Sequence, residues 1–249
     1  MSFERQLVPV YLPRGVFQRL TALKRLFIPS KTSPPEPGPL IDLSGDREVE
    51  WSYIASRLPA DGGSVLDFGA GYGTMSIHAV QKGHRVLALD LEENPFQWSH
   101  PNLERVQGDL LKLDLPEGSF DYILNCSTVE HVGLTGRYGV SVEETDGDLD
   151  AMRKLRTLLK PSGKMLMTIP CGQDTVVVPW HRVYGERRLP RLLEGYRMEE
   201  QCYWVKHLDN CWHIADRDSA LSYLPTSHAA RPSCCSYALA CFVLGLAAS

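Results

Sequence analysis

The sequence predicts an open, doubly wound α/β sheet, and three observations predict it. Val65, Leu66 and Phe68 form a short apolar run around Asp67, Met75, Ile77, Ala79 and Val80 follow at helical spacing, and Gly69, Gly71 and Gly73 stand between them at every second position. Further buried-strand runs recur at Arg85–Leu91, Leu103–Val106, Ser119–Cys126 and Lys164–Ile169, with helical or loop stretches between them. A carboxylate closes each of the first three strands: Asp67, Asp90 and Asp109. A glycine turn takes backbone angles that a Cβ would obstruct and lets a ligand approach the main chain. In doubly wound sheets such a strand-to-helix loop is where nucleotides bind.

Spacing decides which nucleotide. A dinucleotide fingerprint reads G-x-G-x-x-G, whereas this loop reads D-x-G-x-G-x-G, with Thr74 where the third glycine would stand. Asp67 would repel a pyrophosphate and suits a ligand carrying an amino group and a positive centre. S-adenosylmethionine has both and no phosphate. The loop and its flanks resemble the first motif of the class I S-adenosylmethionine-dependent methyltransferases. The resemblance runs from about Val65 to Leu246. It implies a Rossmann-like sheet of seven mostly parallel strands with an antiparallel last strand, and S-adenosylmethionine as cofactor. The alternative is a strand, turn and helix whose glycines serve geometry alone.

Two units are expected, residues 1–39 and a methyltransferase domain at 40–249. In the first, Val16, Leu20, Leu23 and Phe27 give Gly15–Ile28 an amphipathic face. Its surroundings are basic: Arg5, Arg14, Arg19, Lys24 and Arg25 against Glu4. Two readings stand: weak association with membranes or acidic carriers, or a helix packed on the domain as a lid or homodimer contact. Lys31–Pro39 is a proline-rich connector. A helix within Ile41–Pro59 follows, capped by Ser44 or Asp46, with Trp51, Ile54, Ala55 and Leu58 as its apolar face. Glu48, Glu50 and Trp51 on it either touch ligand or serve packing and solvation.

After the fourth strand come Ser127–Val132 and a long loop, Gly133–Gly147, of a length that is usually functional or mobile. The helix Asp148–Leu159 ends in Lys160-Pro161-Ser162-Gly163, and the fifth strand ends at Pro170. Beyond it lie Trp180–Gly185, a helix at Glu186–Leu193, a hairpin of Arg197–Lys206 with Cys211–Ala215, and a buried last strand in Ser236–Leu246.

The resemblance assigns cofactor contacts to Asp67, Gly69, Ala70 and Gly71 in the loop. It adds Asp90 and Leu91 for the ribose hydroxyls, Asp109 and Leu110 for adenine, and Asn125 beside the methyl group. If the acceptor is a hydroxyl, a base takes its proton. His131 or His181 is that base, with Glu130 orienting it. A helix starting near His131 would keep the ring neutral. Arg137, Tyr138, Arg182 and Tyr184 are expected to clamp a carboxylate, phosphate or sugar. A divalent metal is disfavoured: relatives with a Glu-x-x-Glu-His site carry a carboxylate where Ser127 stands, leaving only Glu130, His131 and His181 as ligands.

Asp42–Trp51, Ser127–Gly139 and His181–Leu189 look more narrowly like a little-characterised bacterial methyltransferase-like family found with polysaccharide and natural-product genes. That implies a small-molecule or glycan acceptor, methylated on oxygen or nitrogen. A net charge of −4 and a pI near 6.1 argue against nucleic acid as partner. Seven scattered cysteines without a C-x-x-C pair read as reduced thiols of a cytoplasmic protein. The longest apolar run, Tyr237–Ala248, falls short of the roughly 20 residues of a membrane helix. Two other function classes stay open: a S-adenosylmethionine-binding fold that does not methylate, and an NAD-type oxidoreductase.

Overall fold

The computed structural model describes residues 41–93, 98–136, 138, 140–177, 180–228 and 231–248. The expected N-terminal helix, Gly15–Ile28, and connector, Lys31–Pro39, lie outside them, as does Arg137.

Chain order gives α1 (Asp46–Arg57), β1 (Ser64–Phe68), α2 (Thr74–Gln81), β2 (Arg85–Asp90), β3 (Leu103–Gln107) and β4 (Phe120–Cys126). Then come α3 (Gly147–Leu158), β5 (Leu159–Cys171), β6 (Thr175–Val177), β7 (His181–Val183) and α4 (Arg188–Leu192). The chain continues through β8 (Tyr196–Lys206), β9 (Trp212–Ala215), α5 (Arg217–Leu221), β10 (Thr226–His228), β11 (Arg231–Ser236) and β12 (Ala238–Leu246). The main sheet has eight strands in the order β3-β2-β1-β4-β5-β12-β8-β9. The first five run parallel, and β12 pairs antiparallel with both β5 and β8. This is the class I methyltransferase architecture, widened from the expected seven strands because the predicted hairpin lies in the same sheet. β9 pairs antiparallel with β8 along Tyr203–Lys206 and extends the edge.

Alternation along the strands sends neighbouring side chains into two cores. Leu66, Ile123, Met165, Met167, Ala240 and Phe242 face α3, α4 and α5. Val65, Leu124, Leu166 and Cys241 face Tyr53, Ile54 and Leu58 of α1 and Met75, Ala79 and Val80 of α2. Helices therefore cover both faces, as long apolar strands require.

Two local expectations are corrected. Neither Ser44 nor Asp46 caps α1: Gly45 holds the N-cap in the left-handed region at φ 85°, without a side-chain cap. The Ser44 carbonyl instead accepts from Trp212 Nε1 at 3.0 Å and from the buried Lys206 ammonium, tying the start of α1 to the β8–β9 hairpin. The tail Lys160–Gly163 does not follow the helix as a separate segment but belongs to β5. β5 begins at Leu159, directly after α3, and its register with β4 shifts between Phe120 and Tyr122. The extra residues form a bulge, where proline is tolerated.

Candidate functional site

At the C-terminal ends of β1, β2, β3 and β4 lies a cavity of about 1040 Å³. Its floor is the glycine turn. Gly69 and Ala70 donate their N–H groups to the Leu89 carbonyl, at 2.8 and 3.1 Å, which folds the loop over the tip of β2. Gly69 has φ +72°, and a Cβ there would collide with the Thr128 side chain. Gly71 has φ +52° with nothing within 4 Å of where a Cβ would sit, so its main chain is open to a ligand.

Asp67, Asp90 and Asp109 all line this one cavity, as do Gly69, Ala70, Gly71, Leu91 and Leu110. Asp67 is buried, and its Oδ2 accepts from Ser76 Oγ at 2.5 Å. Burial raises its carboxyl to about 6 against the opposing pull of the Ser76 bonds, and the negative charge of Asp90 adds to the rise. Asp90 Oδ2 accepts from Gly71 N at 2.8 Å and Oδ1 from Glu92 N at 3.0 Å, which fixes the carboxylate at the strand tip. Asp109 Oδ1 accepts from Leu111 N, and Lys112 lies 3.0 Å from Oδ2. An open main chain beside a buried carboxyl and two oriented ones suits a neutral nucleoside bearing an ammonium.

The other end of the cavity is walled by Arg47 and Trp51 of α1, Cys126, Ser127, His131 and Tyr138. Ser127 is a non-glycine residue in the left-handed region (φ 48°), and its hydroxyl donates to the buried Glu50. Strain of that kind is held where surrounding contacts over-determine it. Glu50 also accepts from Thr168 Oγ1 at 3.0 Å and from Arg47 Nη1 at 2.8 Å. It therefore sits behind the wall as an anchor, while Trp51 and Arg47 face the space.

Of the expected acceptor-side residues, His131 and Tyr138 line the cavity, their rings edge to face at 5.4 Å. His131 ends a single 3-10 turn, Val129–His131, so no helix dipole acts on it. Its Nδ1 lies 2.5 Å from the Trp180 carbonyl, which can only accept, so Nδ1 carries the proton. Glu130 is buried, off the cavity, with Oε1 3.7 Å from His131 Nε2 and Oε2 without a hydrogen-bond partner. Burial pushes its carboxyl to about 8.

Asn125, His181, Arg182 and Tyr184 are also off the cavity wall. Asn125 Oδ1 accepts from Val129 N at 3.1 Å, bracing the turn after β4. His181 is buried with its ring on edge to Tyr237 at 5.0 Å. The Arg182 guanidinium is buried and donates to the carbonyls of Val132 (2.6 Å), Glu144 (3.1 Å) and Thr145 (3.3 Å). It staples both ends of the Gly133–Gly147 loop and has no free edge for a ligand. Tyr184 donates to Asp148 Oδ2 at 3.1 Å in the core. Arg47 is among the wall residues that sequence reasoning passed over. The available signal was its i, i+4 relation to Trp51, which puts both on one face of α1.

A family model described as "Caenorhabditis protein of unknown function, DUF268" matches residues 71–206. The chain belongs to this family. Curated relatives of this DUF268 chain include two Mycobacterium tuberculosis proteins described as "Probable S-adenosylmethionine-dependent methyltransferase". They are 26% identical over 143 residues, 54% of this chain and 47% of theirs. A cypemycin N-terminal methyltransferase of Streptomyces is 29% identical over 114 residues, 45% of this chain and 44% of that one. The chain thus spans about half the length of the curated relatives it matches. Among solved structures, it superposes on the Burkholderia thailandensis 1,6-didemethyltoxoflavin-N1-methyltransferase, bound to that substrate and S-adenosylhomocysteine. The TM-score is 0.53 at 18% identity, over 96% of this chain and 93% of that chain. A S-adenosylmethionine-dependent methyltransferase from Mesorhizobium loti gives 0.51 at 17% identity, over 80% and 98%. The DUF268 domain is therefore a class I methyltransferase fold.

Among the described residues, no group of three or more His, Cys, Asp or Glu side chains is placed to hold a metal, and no helix is long and apolar enough to cross a membrane.

Proposed function

We propose that this DUF268 protein transfers the methyl group of S-adenosylmethionine to an oxygen or nitrogen of a small molecule, with natural-product or polysaccharide biosynthesis as the setting. The observation that carries the reading is the convergence of Asp67, Asp90 and Asp109 on one cavity beside the open Gly71 main chain. Asp67 would hold the ammonium, Asp90 the ribose hydroxyls and Asp109 the adenine amino group. Bound S-adenosylmethionine supplies an electrophilic methyl on a cationic sulfur. The chain's own part is to place the acceptor and accept its proton.

His131 is the base in this reading. With Nδ1–H held by the Trp180 carbonyl, the neutral ring keeps its lone pair on Nε2, and a proton arriving there would lie beside the Glu130 carboxyl. Glu130 acts through His131 and touches no ligand, so it is a positioning residue. Calorimetry with S-adenosylhomocysteine and with NAD tests the first half: micromolar binding of the former alone is expected, and binding of NAD alone would overturn it. Mass spectrometry for S-adenosylhomocysteine released on incubation with S-adenosylmethionine and a panel of phenols, amines and sugars tests the second. A chain that binds the cofactor and never releases product would be a binding module.

A further inference from the structure

Arg47 is held in a way that a solvent-exposed arginine is not. Its Nη1 donates to Glu50 Oε2 at 2.8 Å and approaches Cys126 Sγ at 4.0 Å. Glu50 is fully buried and is itself fastened by the Ser127 and Thr168 hydroxyls. One side of the guanidinium is thus clamped to the interior at the tip of β4. The other side, Nε and Nη2, makes no hydrogen bond to the described protein, although Arg47 lines the cavity and its side chain is 44% exposed. Lys112, a second cation on the wall, is already paired with Asp109 and is far more exposed. Four residues along α1, Trp51 puts a large half-exposed ring on the same wall.

A guanidinium edge fixed in this manner matches a planar carboxylate bidentately, and its orientation is fixed before the ligand arrives. Resting on the cofactor assignment above, the geometry points to Arg47 as the residue that selects the acceptor: it docks a carboxylate of the methyl acceptor on its Nε–Nη2 edge while the acceptor's flat body lies against Trp51. The cofactor's own carboxylate is a second source of the same chemistry. Placement favours the acceptor: Arg47 is bonded to Glu50 and lies against Cys126 at the tip of β4, on the same wall as His131, whereas Asp67, the proposed ammonium holder, sits in β1 and is bonded by Ser76 of α2.

The test is calorimetry on the full chain loaded with S-adenosylhomocysteine, with benzoate as the probe and benzamide as its uncharged isostere. Benzoate is expected to saturate one site and benzamide to bind at least about tenfold more weakly. Arg47→Gln should abolish the preference. Arg47→Lys, which keeps a cation for Glu50 and loses the fork, should retain only part of it. Both variants should bind S-adenosylhomocysteine within about twofold of wild type, which also certifies their folding. The proposal is overturned if wild type shows no saturable benzoate site, or if benzamide binds as well. It is equally overturned if Arg47→Gln weakens S-adenosylhomocysteine about tenfold while leaving methylthioadenosine, which lacks the amino-acid tail, unchanged; the guanidinium then belongs to the cofactor. Failure of wild type to bind S-adenosylhomocysteine would instead sink the methyltransferase reading, and the benzoate comparison on the same chain without nucleotide would still decide the carboxylate site.

Discussion

In the proposed cofactor site, Asp67 gives the ligand-binding step a pH signature. Because burial raises it to about 6, the ammonium of the proposed ligand would have to draw it into the ionised form. Affinity for S-adenosylhomocysteine should then be flat above that pH and fall about tenfold per unit below it. Calorimetry between pH 5 and 8 checks this, and Asp67→Asn should bind weakly with no such slope. Asp90→Asn should lower affinity by about ten- to a hundredfold, since charge-assisted bonds contribute roughly 1.5–3 kcal/mol each. Glu130 works in the stability ledger. Its carboxyl, near 8 when folded and near the ordinary 4.5 when unfolded, keeps its proton longer in the native chain. The native state is therefore favoured below about 4.5 and progressively disfavoured as pH climbs to 8. Glu130→Gln should melt close to wild type at pH 4.5 and gain on the order of 4 kcal/mol relative to it by pH 8, read by denaturant titration. The acids at the first three strand tips were legible in the sequence because one-dimensional spacing places them there. The side of the wall on which Arg182 and Tyr184 fall was not, since their burial depends on carbonyls and a carboxylate tens of residues away.

At the scale of the element, the Gly133–Gly147 loop is decided by its anchors. Gly133 and Glu144 exchange a backbone bond at 2.8 Å, a Cβ on Gly133 would strike the Glu144 main chain, and Arg182 holds the carbonyls at both ends. Between those pins, Val140 and Val142 reach the cavity. Arg182→Gln strands buried carbonyls and leaves Asp148 with one cation fewer. It should cost about 2–4 kcal/mol of stability and raise the acceptor KM more than it weakens cofactor affinity. Thermal melts together with steady-state kinetics separate the two effects. The long helices and the strands of the main sheet were readable to within a few residues because their apolar periods are local, whereas the short elements β6, β7, α5, β10 and β11 were not. The boundary between α3 and β5 was not: lysine, proline, serine and glycine in a row signal a turn, and only pairing with β4 converts them into a bulge.

For the whole molecule, the sheet divides its labour. β1 to β4 present the cavity, while β12 joins that parallel half to the β8–β9 hairpin. Phe242 lies near the middle of β12, fully buried, with its ring against Tyr203. Phe242→Ala should cost about 3–5 kcal/mol in a denaturant titration. The number of strands followed from family likeness more than from pattern. Nothing in the alternation of Trp212–Ala215 says whether that hairpin stands apart or widens the sheet, and the pairing of β8 with β12 settles it.

The place of β12 has a consequence for the order in which the molecule is made. A ribosome releases the glycine loop and all three acidic tips before the helix α3 exists, yet the strand that sits sixth across the sheet is residues 238–246, translated after every other strand. Until those residues emerge, β5 offers a bare apolar edge to anything nearby. Closure of this sheet is therefore paced by a long-range pairing, between β12 and β5, and not by the early, local half that presents the cavity.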